Sequence, residues 1–144
     1  MRDLSRRGLA RLALGCALLL GGYCVAAAQT ARVGREFELK AGRVVTLDGG
    51  ALRVRFVRVA SDSRCPAGVE CVWAGNAEVL LAVGGDRRRA MTALRLNTNA
   101  GPERPGEGRY GRYTLKLAGL APRPRGAGKI APGRYTATLL ITKE

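Results

Sequence analysis

Between Arg35 and Thr142 the chain alternates apolar and polar residues at period two, with turn residues about every 8 to 15 positions and no helical spacing that persists. Period two sends successive side chains to opposite faces of an extended strand, so each segment offers one face to a core and one to water. Short antiparallel strands covered on one side are the structures that satisfy this pattern.

Phe37 and Leu39 alternate with Glu36, Glu38 and Lys40, and Val45 and Leu47 run into Asp48-Gly49-Gly50, a hairpin signal. Leu52, Val54 and Phe56 then oppose Arg53 and Arg55 until the phase slips at Val57, which predicts a bulge or a strand passing between sheets. Val79, Leu81 and Val83 form an inward row, and Gly84-Gly85-Asp86 turns the chain into a strand over Arg87 to Leu96 whose Ala90, Thr92, Leu94 and Leu96 face one way. NTNAGPERPGEG, from Asn97 to Gly108, reads as a solvated, mobile loop. Tyr113, Leu115 and Leu117 follow. After a proline-rich loop from Ala121 to Gly133, Tyr135, Ala137, Leu139 and Ile141 oppose Arg134, Thr136 and Thr138. Seven strands in about 110 residues predict an all-β fold, an antiparallel β-sandwich, with a small closed β-barrel as the alternative.

The stretch SDSRCPAGVECVWAGNA, Ser61 to Ala77, holds the one tryptophan and both cysteines outside the N-terminal segment. Five residues separate Cys65 from Cys71, so the pair is not the CxxC of a thiol oxidoreductase and reads as a disulfide closing a short loop. A ring of about seven residues contributes roughly 2 to 2.5 kcal/mol by chain entropy, enough to shape a loop rather than to hold a domain. Trp73 is expected to cap one end of the core, the alternative being a ligand-stacking platform. Asp62, Glu70 and Glu78 cluster in the sequence around the motif. They suit calcium or acid-base work, or simple partnership with Arg64. The candidate binding residues are Asp62, Arg64, Glu70, Trp73 and Asn76, joined by Arg53, Arg55 and Arg112 on outward strand positions.

From Asp62 through Val79 the chain resembles, position by position, a pattern DSRCPxxVxCVWAGxAxV found in a broad set of uncharacterised bacterial exported proteins and lipoproteins. The resemblance extends to Leu47–Val59, Leu117–Pro124 and Ile130–Leu139. It implies an extracytoplasmic location and no particular activity. Arg123 stands between two prolines where such proteins often have an aromatic residue.

Arg2, Arg6, Arg7 and Arg11 flank or precede an apolar stretch from Leu12 to Ala28, broken by Gly15, Gly21 and Gly22 and ending in three alanines. Residues 1–28 therefore read as an export signal cleaved before Gln29, leaving one domain over 29–144 with no transmembrane segment. Ser5-Arg6-Arg7-Gly8-Leu9 also resembles a twin-arginine signal, so both export routes remain open. Neither Cys16 nor Cys24 follows a leucine and two small residues, so a periplasmic or secreted protein is expected, with a lipoprotein anchored through Cys16 or Cys24 as the alternative. About 116 residues suffice for an independent core.

The chain has no histidine, which removes the usual general base at neutral pH and the commonest metal ligand; no cofactor or metal is expected. The formal charge is +14, and it falls to +11 when Arg2, Arg6, Arg7, Arg11 and Asp3 leave with the signal. Arginine dominates that surplus, on outward positions and in the Arg87-Arg88-Arg89 turn. Nucleic acid is not expected as a partner, because basic residues are not interleaved with aromatics. The reading that follows is a non-enzymatic extracytoplasmic binding or structural module for an anionic envelope component or a partner protein. The alternative is a small hydrolase or metal-dependent enzyme using the motif carboxylates.

Overall fold

In the computed structural model residues 29–86 and 89–144 are described; residues 1–28, expected to be an export signal and holding Cys16 and Cys24, and Arg87 and Arg88 of the expected basic turn, lie outside the described residues. Strands β1 (Gln29–Thr30), β2 (Glu36–Lys40), β3 (Val44–Leu47), β4 (Leu52–Asp62), β5 (Ala77–Gly84), β6 (Thr92–Asn97), β7 (Glu107–Tyr110), β8 (Tyr113–Ala121) and β9 (Thr136–Lys143) follow one another. They form two sheets, ordered β1-β3-β4-β5-β6 and β2-β9-β8-β7. Pairing is antiparallel throughout except for two-residue β1, which runs parallel to β3. The sheets do not close into a barrel, so the molecule is a β-sandwich.

The core lies where the inward rows of the two sheets meet. Val54, Phe56, Val79, Leu81 and Leu96 from the first sheet and Leu39, Leu115, Leu139 and Ile141 from the second are fully buried. Each contributes roughly 1.5 to 3 kcal/mol by leaving water. The Asp48-Gly49-Gly50 turn joins β3 to β4 with positive φ at all three residues, 52°, 64° and 101°, which Asp and Gly tolerate better than other side chains do.

The phase slip at Val57 is a bulge: Phe56 pairs with Leu81 and Arg58 with Leu80, leaving Val57 between them. A second register shift leaves Ala60 unpaired, and a third in β8 does the same to Ala118. Bulges add local twist and bend the strand that carries them. β4 and β8, one from each sheet, are therefore both bent before they end.

Three expectations need correction. Two strands exceed the seven expected: β1, and β7, which opens inside the stretch read as a solvated loop and turns Gly108 toward Leu94 and Leu115. Asn97, at the start of that stretch, is buried rather than solvated. Of the row expected in β6, Leu94 and Leu96 point inward, but Ala90 precedes the strand and Thr92 at its start is exposed.

Phe56 is the largest fully buried side chain. Phe56→Ala should destabilise the domain by about 3–5 kcal/mol, read as a fall in the denaturant midpoint with the slope of the transition unchanged.

Candidate functional site

β4 and β5 do not stop at the sheet. The Ser63 N–H donates to the Asn76 carbonyl at 2.7 Å and the Cys65 N–H to the Ala74 carbonyl at 3.0 Å, so the hairpin narrows into a two-rung neck. Gly75 sits in that neck at φ +69°, and a Cβ there would lie 1.8 Å from the Ser63 carbonyl oxygen; no other residue fits this approach. Beyond the neck, Cys65 and Cys71 are disulfide-bonded, with their Cα atoms 5.9 Å apart. The clipped loop carries Val69, Val72 and Trp73 at 54%, 90% and 81% exposure. Trp73 therefore does not cap the core: the neck holds it outside the sandwich. That end of the core is closed instead by Tyr135 and by the two residues that precede the loop, Asp62 and Arg64.

Those two residues form a buried ion pair, their side chains 9% and 8% exposed. Arg64 Nε donates to Asp62 Oδ1 at 2.9 Å and Nη2 to Oδ2 at 2.7 Å, while Nη1 donates to the Leu120 carbonyl and Nη2 also to that of Pro122. Tyr135 Oη donates to Asp62 Oδ2 at 3.0 Å. Burial pushes the Asp62 carboxyl up, but the side-chain and backbone hydrogen bonds from Arg64 and the one from Tyr135 outweigh it, and the net shift is downward. Burial, then the bond to Asp62, raises the Tyr135 hydroxyl. Both candidate binding residues are thus turned inward and spent on each other and on the 120–122 backbone. Asn76 is likewise engaged: its Nδ2 donates to Asn97 Oδ1 at 2.8 Å and its Oδ1 accepts the Asn99 N–H at 3.0 Å.

The three motif acids do not converge. Asp62 pairs in register with buried Ala77, whereas Glu78 pairs with Ser61 on the opposite, outer face and is bound to Arg95. Glu70 is exposed in the clipped loop. Among the described residues no group of three carboxylate or cysteine side chains could hold a metal ion. A cleft of about 490 Å³ runs between the end of β4 and the loop after β8, lined by Ser61, Ser63, Pro66, Lys129 and Ile130 together with the Asp62–Arg64 pair.

The candidate arginines separate. Arg53 and Arg55 project from the outer face of the first sheet, beside Thr46 and Val44 on one side and Gly84 and Ala82 on the other. Arg112, expected on a strand, stands instead in the Gly111–Arg112 turn between β7 and β8, at the Asp48 end of the molecule, where its charge helps to lower the Asp48 carboxyl after hydrogen bonds from Lys143 and Tyr113. Register adds two arginines to the first face. The bulge at Val57 returns Arg58 to the outside opposite Leu80, and Arg95 of β6 pairs with the same Leu80 from the other side. Unbroken alternation would have turned Arg58 inward, so the bulge is the signal that places it.

No protein-family model, curated protein or solved structure matches this chain.

Three outcomes follow from the site. Arg64→Ala should cost about 3–5 kcal/mol because it leaves Asp62 buried without its counter-charge, whereas Trp73→Ala should stay within about 0.5 kcal/mol of the parent chain, both measured by denaturant unfolding. Asp62 is held below its unfolded pKa of about 3.9, so its contribution is complete above about pH 4 and is lost as pH falls through the folded value. Asp62→Asn should therefore flatten part of the acid limb of the stability–pH curve, the lowered Asp48 carboxyl supplying the remainder.

Proposed function

We propose that this chain is a non-enzymatic extracytoplasmic binding module, periplasmic or secreted, that holds an anionic envelope polymer on the outer face of its first sheet. Membership among the exported proteins with the DSRCPxxVxCVWAGxAxV pattern is part of the proposal.

The observation that supports it is the segregation of charge between the two outer faces. On the first, Arg53, Arg55, Arg58 and Arg95 surround Leu80, Ala82 and Ala93, and the one acid, Glu78, is taken by Arg95. On the second, Glu36, Glu38 and Glu107 stand against Lys40, Lys116 and Arg109. A composition merely rich in arginine would load both faces alike. Arg53 and Arg55 lie about 7 Å apart along one strand, within a Debye length at physiological salt. Their fields therefore add, and guanidinium groups so placed suit phosphate or carboxylate acceptors. Gly84, Ala82 and Ala93 are small, which leaves room beside Arg53 and Arg55 for an extended chain. A hydrolytic reading has less to draw on, because Asp62 and Glu78 stand on opposite faces and each is already paired.

Binding to a lipid-free polyuronate such as alginate tests the reading. Affinity should fall steeply with salt, and replacing Arg53, Arg55 and Arg58 together by Gln should lower it about a hundredfold at low salt, on a scale of about 1 kcal/mol per basic side chain near an anionic surface. The matched control is Lys40, Arg109 and Lys116 to Gln on the other face. Equal losses from both triples would mean that net charge alone attracts the polymer, and the face would have no special part.

A further inference from the structure

Val69, Val72 and Trp73 form an exposed apolar tip whose backbone is fixed three times over: by the disulfide, by the neck, and by the Ala67 N–H donating to the Pro124 carbonyl at 2.9 Å. Apolar side chains on a mobile loop fold back on one another; these are held out in water, and contiguous exposed apolar surface marks an interaction site. The Ala67–Pro124 bond also sets a second loop beside the tip. That loop, residues 122–130, carries Arg123, Arg125 and Lys129, all exposed, and no acid. None of the three belongs to an ion pair among the described residues. One end of the sandwich thus presents a rigid tryptophan and valine knob flanked by three cations, with Glu70 as the only acid in the clipped loop.

We infer that this end docks on the surface of a bilayer containing anionic phospholipid, with Trp73 and Val72 seated at the level of the headgroups. The shape selects the occupant. Small ligands are taken into concave pockets, whereas Val72 and Trp73 protrude. The chemistry agrees, since tryptophan partitions to membrane interfaces, where its apolar ring and its N–H are both accommodated. Basic residues beside it are drawn to the negative surface potential of anionic lipid. The disulfide keeps the tip in its exposed conformation, so docking has little ordering entropy to overcome. No helix among the described residues is long and apolar enough to cross a membrane, and the attachment inferred here is to the surface only. It is independent of the arginine face, which lies on the side of the first sheet and not at the loop end.

Trp73 is the only tryptophan in the chain, so its fluorescence reports on this tip whatever else touches lipid. On titration with vesicles of phosphatidylglycerol and phosphatidylcholine, its emission should move to shorter wavelength and be quenched by lipids brominated on the upper acyl chain. Pure phosphatidylcholine vesicles should produce a several-fold weaker response. Arg123, Arg125 and Lys129 replaced together by Gln should weaken the response to anionic vesicles several-fold, and Trp73→Ala should weaken co-sedimentation with them while the fold is retained. Replacing Arg53, Arg55 and Arg58 should leave the emission shift at saturating lipid unchanged, which separates this inference from failure of the polymer reading. Protein that sediments with vesicles while Trp73 remains unshifted and unquenched would overturn the inference, because another surface would then be making the contact. Absence of sedimentation with anionic vesicles at low salt would overturn it as well.

Discussion

One guanidinium ties this sandwich together at its loop end. Two sheets packed face to face without closing into a barrel share a core but no backbone ladder, so their ends have to be joined by side chains or by connecting loops. Arg64 leaves the end of β4 in the first sheet and donates to the carbonyls of Leu120 and Pro122, at and just beyond the end of β8 in the second, while Asp62 neutralises it and Tyr135 completes the carboxylate. Five donors in a planar fork let a single side chain serve four acceptor positions at once. A lysine has neither the fork nor the reach. The pair is costly to bury and rewarding only when its hydrogen bonds are satisfied; no buried side-chain nitrogen or oxygen among the described residues lacks a partner.

The bulges make that junction geometrically accessible. Without the unpaired Val57, Ala60 and Ala118, β4 and β8 would run straight on, each in the plane of its own sheet. With them the two strands bend, and a neck of only two hydrogen-bonded rungs then carries the clipped loop outward. The same residue that perturbs the ladder at position 57 also decides the surface, because it turns Arg58 from an inward to an outward position. Fold irregularity and surface charge are here one event.

The molecule therefore has two surfaces with different physics. The arginine face is broad, polar and sensitive to salt, and it needs nothing more than strand register to exist. The loop end is small and apolar at its tip, and it depends on the disulfide, on Gly75 and on the Ala67–Pro124 bond. The two proposals are compatible in space, because the loop end and the flank of the first sheet are separate surfaces: contact of one with a bilayer would leave the other free for an anionic polymer.

Much of the fold was legible in the chain itself, because period-two alternation is a local property that survives any tertiary arrangement: the strands around Phe56, Leu81, Leu115 and Leu139, the bulge at Val57 and the bond between Cys65 and Cys71 all follow from neighbours in sequence. β7 was not legible, since its inward positions are Gly108 and Tyr110 and its pairing is supplied by β8. Nor was the fate of Trp73, where the general tendency of tryptophan to bury itself lost to a neck imposed by Gly75 and by the Ser63–Asn76 and Cys65–Ala74 rungs. Asp62 and Arg64 look like surface charges in a polar loop; they become a buried pair because β8, more than fifty residues later, brings two carbonyls to meet the guanidinium. Whether a charged residue faces water or another charge is set by what lies across the core from it, and only the tertiary structure decides that.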